Sequence, residues 1–96
     1  HEGGQALMRE ITRYLNRKLY DSRTCGYITL QGVAQAVAKG EAVSVRDRNG
    51  GADITSHTLL LAMTEWEKKR KGTFAAASLA GLIKAAGRPG GKKKKR

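Results

Sequence analysis

Residues 18–40 carry two signals in succession, and together they restrict the fold more than any other stretch of the chain. Lys18 to Asp21 reads as an extended piece, and Ser22-Arg23-Thr24-Cys25-Gly26 as a turn with Gly26 free to take positive φ. Tyr27-Ile28-Thr29 is β-rich by propensity, so a hairpin over residues 18–29 is predicted. Immediately afterwards Leu30, Val33, Ala34 and Val37 fall at i, i+3, i+4 and i+7, one face of a helix. Thr29 is placed to cap that helix and Gly40 to end it at C′. Gly32 inside it weakens the helix by about 1 kcal/mol relative to alanine. A chain that must turn from strand to helix within one residue belongs to a mixed fold.

The flanks repeat the pattern. Ile11 to Tyr14 is a short strand candidate, and Leu15 to Arg17 bends the chain. Val43-Ser44-Val45-Arg46 alternates like a half-buried strand, and Asn49-Gly50 signals a type I′ hairpin with Ala52 to Thr55 as its return strand. Thr55 or Ser56 is placed to cap a longer helix, roughly 57–71. Phe74 to Ala86 reads as a short alanine-rich amphipathic helix. The expected fold is α+β: a small hairpin or sheet with two main helices in ββαββα-like order, then a short C-terminal helix and a basic tail. The expected divisions are an unstructured start (1–8), a folded domain (9–71), the short helix (72–87) and a disordered lysine-rich tail (88–96).

With 96 residues, 40% of them hydrophobic, a single thin core is expected. Leu59, Ala62, Met63 and Trp66 form one stripe of the second helix, and Leu60 and Leu61 widen it beyond what a small domain covers alone. Self-association through Leu59, Leu60, Met63 and Trp66, as a dimer or tetramer, follows as an expectation.

The formal net charge is +11. Setting aside Arg88, Lys92, Lys93, Lys94, Lys95 and Arg96 leaves thirteen bases against eight acids, so the remainder is basic in its own right. Nucleic acid is the commonest partner for such a charge; an acidic protein or a membrane surface would also satisfy it. The lone Cys25 forbids an intrachain disulfide and a cysteine-rich zinc site, and fits a reducing interior. No apolar run reaches the length of a membrane span.

Catalysis finds little support. Ser56 and His57 near Asp53 read as a helix start rather than a triad, and Cys25 lacks a partner histidine nearby in sequence. Gly50-Gly51 is a hairpin turn, not a phosphate loop. No cofactor or metal is expected. Residues 13–30 instead interleave Arg13, Arg17, Lys18 and Arg23 with Tyr14, Tyr20 and Tyr27, and add Asn16. The cations suit phosphates or guanine edges, and Asn16 suits an adenine edge. The tyrosine rings serve chiefly as hairpin packing, with Tyr20 also kept among the DNA-contacting candidates. Lys92 to Lys95 would add salt-sensitive affinity without sequence preference. Arg9, Arg13 and Arg17 recur every four residues, a weaker signal for an anionic cyclic dinucleotide.

Arg13-Tyr14-Leu15-Asn16-Arg17-Lys18-Leu19-Tyr20-Asp21 followed by Gly26-Tyr27-Ile28-Thr29-Leu30 resembles the opening motif of the DNA-binding domain of bacterial polyhydroxyalkanoate accumulation regulators. The likeness continues through Val33–Gly40, Val43–Asp47 and Gly51–Thr55 and covers roughly residues 9–66. Leu15 stands where that family usually has proline. The resemblance implies a DNA-binding repressor of storage-granule genes in a bacterial cytoplasm, with Arg13, Asn16, Arg17, Lys18 and Arg23 facing DNA. Family members usually continue into a separate polymer-associated region; a granule-surface protein that uses the Phe74 to Ala86 helix is one alternative. A nucleoid-organising protein, a cyclic-dinucleotide receptor and a membrane-surface protein are the others.

Overall fold

The computed structural model describes residues 8–87. They form two compact units, one up to Trp66 and one from Glu67. The first unit holds β1 (Arg9–Arg13), β2 (Leu19–Asp21), β3 (Gly26–Ile28), α1 (Leu30–Ala38), β4 (Val43–Asp47) and most of α2 (Thr55–Lys69). The sheet order is β3-β2-β1-β4. β1 and β2 pair antiparallel, as do β2 and β3, whereas β4 runs parallel to β1. The α+β class and the element order are therefore as the sequence predicts. β4 lies on the far side of β1, reached by a crossover through α1, a placement that no local pattern gives.

Period-2 alternation sorts the strands into two faces. Ile11, Leu19 and Val45 point to the helices and form the buried core with Val33 of α1. Ile28, Leu30, Ile54 and Leu59 pack around them. Thr58 and Ala62 are the buried positions of α2. Burial thus falls on one side of the sheet. The other side carries Thr12, Tyr14, Lys18, Tyr20, Tyr27, Ser44 and Arg46, none of them buried.

α1 has the ends its sequence promises. The Thr29 hydroxyl accepts from the Gly32 N–H at 3.0 Å. At the other end Gly40 has φ +96°, its N–H reaches the Val37 carbonyl, and the Glu41 N–H reaches Ala36. That pair of bonds is a Schellman motif. Gly32 has a packing reason as well: a Cβ there would sit 2.8 Å from Cγ1 of Ile28. The helix gives up propensity at this position to lie close on β3.

Three local expectations need correction. Cys25, not Gly26, takes the left-handed conformation in the β2–β3 turn, with φ 57°. After β4 the chain turns through Arg48 to Gly51, with positive φ at Gly50 and Gly51 rather than at Asn49 and Gly50. A two-residue type I′ turn is therefore not formed, and the return strand shrinks to one bridge between Arg46 and Asp53. Finally, the carboxylate of Asp53 caps α2 by accepting from the Thr55 N–H at 3.0 Å. The Thr55 hydroxyl instead accepts from the Val45 N–H at 2.8 Å, fastening the helix start to β4.

In the second unit, the Glu67 carboxylate accepts from the N–H groups of Gly72 and Phe74 and fixes the turn after α2. α3 (Ala76–Gly87) follows, with no buried residue and with Leu82 and Ile83 exposed. The lysine tail and residues 1–7 lie outside the described residues.

Candidate nucleic-acid interface

Within the β1–β2 connection, residues 14–18, Leu15-Asn16-Arg17 form a three-residue loop closed by Tyr14 and Lys18. The Arg17 N–H bonds the Tyr14 carbonyl at 2.8 Å, and the Tyr14 N–H bonds Lys18 at 2.9 Å. Arg17 then sits at φ 69°. A type I turn closed by a left-handed residue is the usual three-residue hairpin loop, and glycine is the usual occupant of the last position. An arginine there costs on the order of 1 kcal/mol of backbone strain. The loop keeps a cation where its geometry favours glycine. Asn16 steadies the same loop: its side-chain oxygen accepts from the Lys18 N–H at 3.0 Å. The amide that sequence offers to an adenine edge is thus first a turn-former, with its NH2 directed elsewhere.

The four cations of the motif do not act alike. Arg13 ends β1 and bonds the Asp47 carboxylate across the parallel pair at 3.0 Å. Arg23 lies beyond β2, at the other end of the sheet, 3.2 Å from Glu41. These two cations therefore meet acids that lie far off in sequence, which an inspection of residues 13–30 alone misses. Arg17 and Lys18 are exposed and have no ion pair among the described residues. The four-residue recurrence of Arg9, Arg13 and Arg17 makes no helical stripe, since Arg9 and Arg13 lie in a strand and both are paired.

Arg9 belongs to a structural network. Its guanidinium bonds Asp21 at 2.6 and 2.8 Å and Glu41 at 2.7 Å. Asp21 is fully buried. Burial pushes its carboxyl up, but the Arg9 hydrogen bond, the Arg23 N–H and the Arg9 charge outweigh that and hold it below its ordinary value. Arg9 also lowers Glu41. This cluster closes the end of the sheet opposite the loop.

The open face carries groups that the sequence reading left as packing. Tyr14 and Tyr20 meet edge to face with ring centres 6.2 Å apart, and Tyr20 and Tyr27 do so at 6.0 Å. Lys18 lies over the Tyr27 ring at 5.4 Å, and Arg48 over Tyr14 at 5.3 Å. Arg48 was not singled out from sequence; its N–H bonds the Arg13 carbonyl and continues the β1–β4 pairing one residue past the strand. The alternation of Ser44, Arg46 and Arg48 signals an exposed face, but its neighbour across the sheet could not be read from it. Tyr14, Leu15, Asn16, Tyr20, Tyr27, Arg48 and Asn49 line an open depression of about 690 Å³.

Of the residues expected to self-associate, Leu59 packs against the core, Met63 and Trp66 are half-buried, and Leu60 is 59% exposed. Among the described residues no His, Cys, Asp and Glu group could hold a metal ion, and no helix is long and apolar enough to cross a membrane.

Two curated relatives are similar over 76 residues, or 79% of this chain. One, from Allochromatium vinosum, is an uncharacterized protein 40% identical, of which the matched part is 50%. The other, from Thiocystis violacea, is an uncharacterized protein in the phbA 5′ region, 38% identical, with 55% covered. The chain spans about half the length of these relatives. No solved structure matches. The family described as the PHB/PHA accumulation regulator DNA-binding domain matches residues 10–70, a span that takes in the strained Arg17 loop, all of the sheet but Arg9, and helices α1 and α2, and the chain belongs to that family.

Proposed function

We propose that this chain represses polyhydroxyalkanoate storage genes by binding duplex DNA through the β1–β2 loop. The observation that carries the reading is Arg17, a cation with no ion pair among the described residues, held at φ 69° in a loop built for glycine. Strain retained at an exposed tip is a mark of a contact that needs that side chain. A two-stranded ribbon end also fits the major groove, which is about 12 Å wide. Arg17 and Lys18 meet phosphates or guanine edges there, Arg48 and Arg13 support them, and Asn16 sets the loop and offers its NH2. Arg23, at the other end of the sheet, and Lys92 to Lys95 add non-specific affinity.

A gel-shift series across salt concentrations tests the reading, with a storage-gene promoter fragment against random DNA of equal length. Binding of the promoter about a thousandfold tighter at physiological salt is expected of a regulator. Equal affinity would sink the repressor in favour of a nucleoid-organising protein. Self-association is a further element of the reading, and Leu60 on α2 is its exposed candidate. Sedimentation of the full chain as a monomer at micromolar concentration would remove that element.

A further inference from the structure

The uncovered sheet face carries more aromatic and cationic surface than the loop reading uses. The sheet has four strands. Three inter-strand spacings of about 4.8 Å set its outer strands some 14 Å apart before side chains are added. A major groove of about 12 Å admits a helix or a two-stranded ribbon, so this face does not enter it. The tyrosines are therefore withheld from the stacked bases of an intact duplex. Unpaired bases have no such barrier.

The face meets the needs of a single strand. Tyr27 is 65% exposed, so much of its ring lies open to a flat partner. Tyr14 and Tyr20 continue the aromatic row, and the edge-to-face contacts hold the three rings in fixed orientation. Lys18 lies over the Tyr27 ring at 5.4 Å and Arg48 over the Tyr14 ring at 5.3 Å, so a base that stacks there moves these flexible side chains off the rings toward its own phosphates. Aromatic rings between cations on an open sheet are the general means of holding single strands without sequence preference.

We propose that the open face of the sheet is a second nucleic-acid site, which takes single-stranded DNA by stacking unpaired bases on Tyr27 and Tyr14 between Lys18 and Arg48. This site goes beyond the duplex reading and does not depend on it.

Fluorescence anisotropy of the full chain with three labelled probes tests it: a dodecamer of thymidine, an abasic strand of the same length, and a duplex. The abasic strand has the same phosphates and reports whatever the basic tail contributes. The thymidine strand is expected to bind at least tenfold tighter than the abasic one. Tyr27→Leu, with an unchanged circular dichroism spectrum, is expected to erase that advantage and to leave duplex affinity within twofold. Arg17→Ala is expected to weaken duplex binding and to keep the single-strand advantage. Equal binding of thymidine and abasic strands overturns the proposal. So does an equal loss of single-strand and duplex binding in Tyr27→Leu, which would make the face part of the duplex contact. Loss of duplex specificity alone would leave this site standing and bring down only the loop reading.

Discussion

Arg9→Ala is expected to destabilise the first unit by about 3 kcal/mol, because it strands a buried carboxylate without its partner. Asp21 has no exposed surface, and Arg9 supplies two of its contacts, at 2.6 and 2.8 Å. The value is taken from the lower end for a broken buried pair, since the outer edge of Arg9 reaches solvent. In a domain of this size such a loss lowers Tm by about 12 °C or more, measurable by thermal melting followed at Trp66. The acid limb of the stability curve should move too. Asp21, Glu41, Asp47, Asp53 and Glu67 all have carboxyls held below their ordinary values. A depressed folded pKa contributes stability that is present above the unfolded value, about 4, and is lost as pH falls through the folded one. Wild-type protein should therefore hold its stability down to about pH 4 and lose it below. In Arg9→Ala the carboxyl of Asp21 rises, so acid unfolding should begin at higher pH. An unchanged acid midpoint together with an unchanged Tm would show that the cluster contributes nothing net.

The second large effect sets stability against binding at a single position. Arg17→Gly removes the left-handed strain and is expected to stabilise the chain by up to about 1 kcal/mol. The same change should weaken duplex affinity about tenfold and reduce the salt slope by about one contact. Arg17→Ala separates the two contributions. It removes the cation but keeps a Cβ at φ 69°, so it should lose affinity without gaining stability. Chemical denaturation and salt-dependent gel shifts measure the two quantities independently. A glycine variant that is more stable and binds DNA as tightly as the parent would leave the strain without a functional reason.

Much of the local structure was legible because its causes are local. Thr29 caps α1 and Gly40 ends it, since both act on backbone groups within a few residues. The β2–β3 hairpin likewise pairs Leu19 with Ile28 across a short turn. The cap of α2 was misassigned because Asp53 and Thr55 both carry a suitable oxygen; only packing on β4 decides that the Thr55 hydroxyl faces Val45. The Asn49-Gly50 signal misled for a similar reason. β4 is already paired along β1, and the chain leaves it in a wider turn toward α2.

By itself the sequence determined the mixed class, the order of the elements, the basic surplus and the family motif, all of which rest on composition, spacing and short-range capping. The tertiary structure decided which charges are free. Arg13 and Arg23 are paired with Asp47 and Glu41, acids 34 and 18 residues away, because the parallel β1–β4 pairing and the end of α1 bring them together. It also decided that the three tyrosines share an open face with Arg48, since sheet order follows from long-range pairing that no local pattern encodes. What began as one cluster of cations and rings is thereby divided into a strained loop tip, a buried ion-pair anchor and an aromatic face.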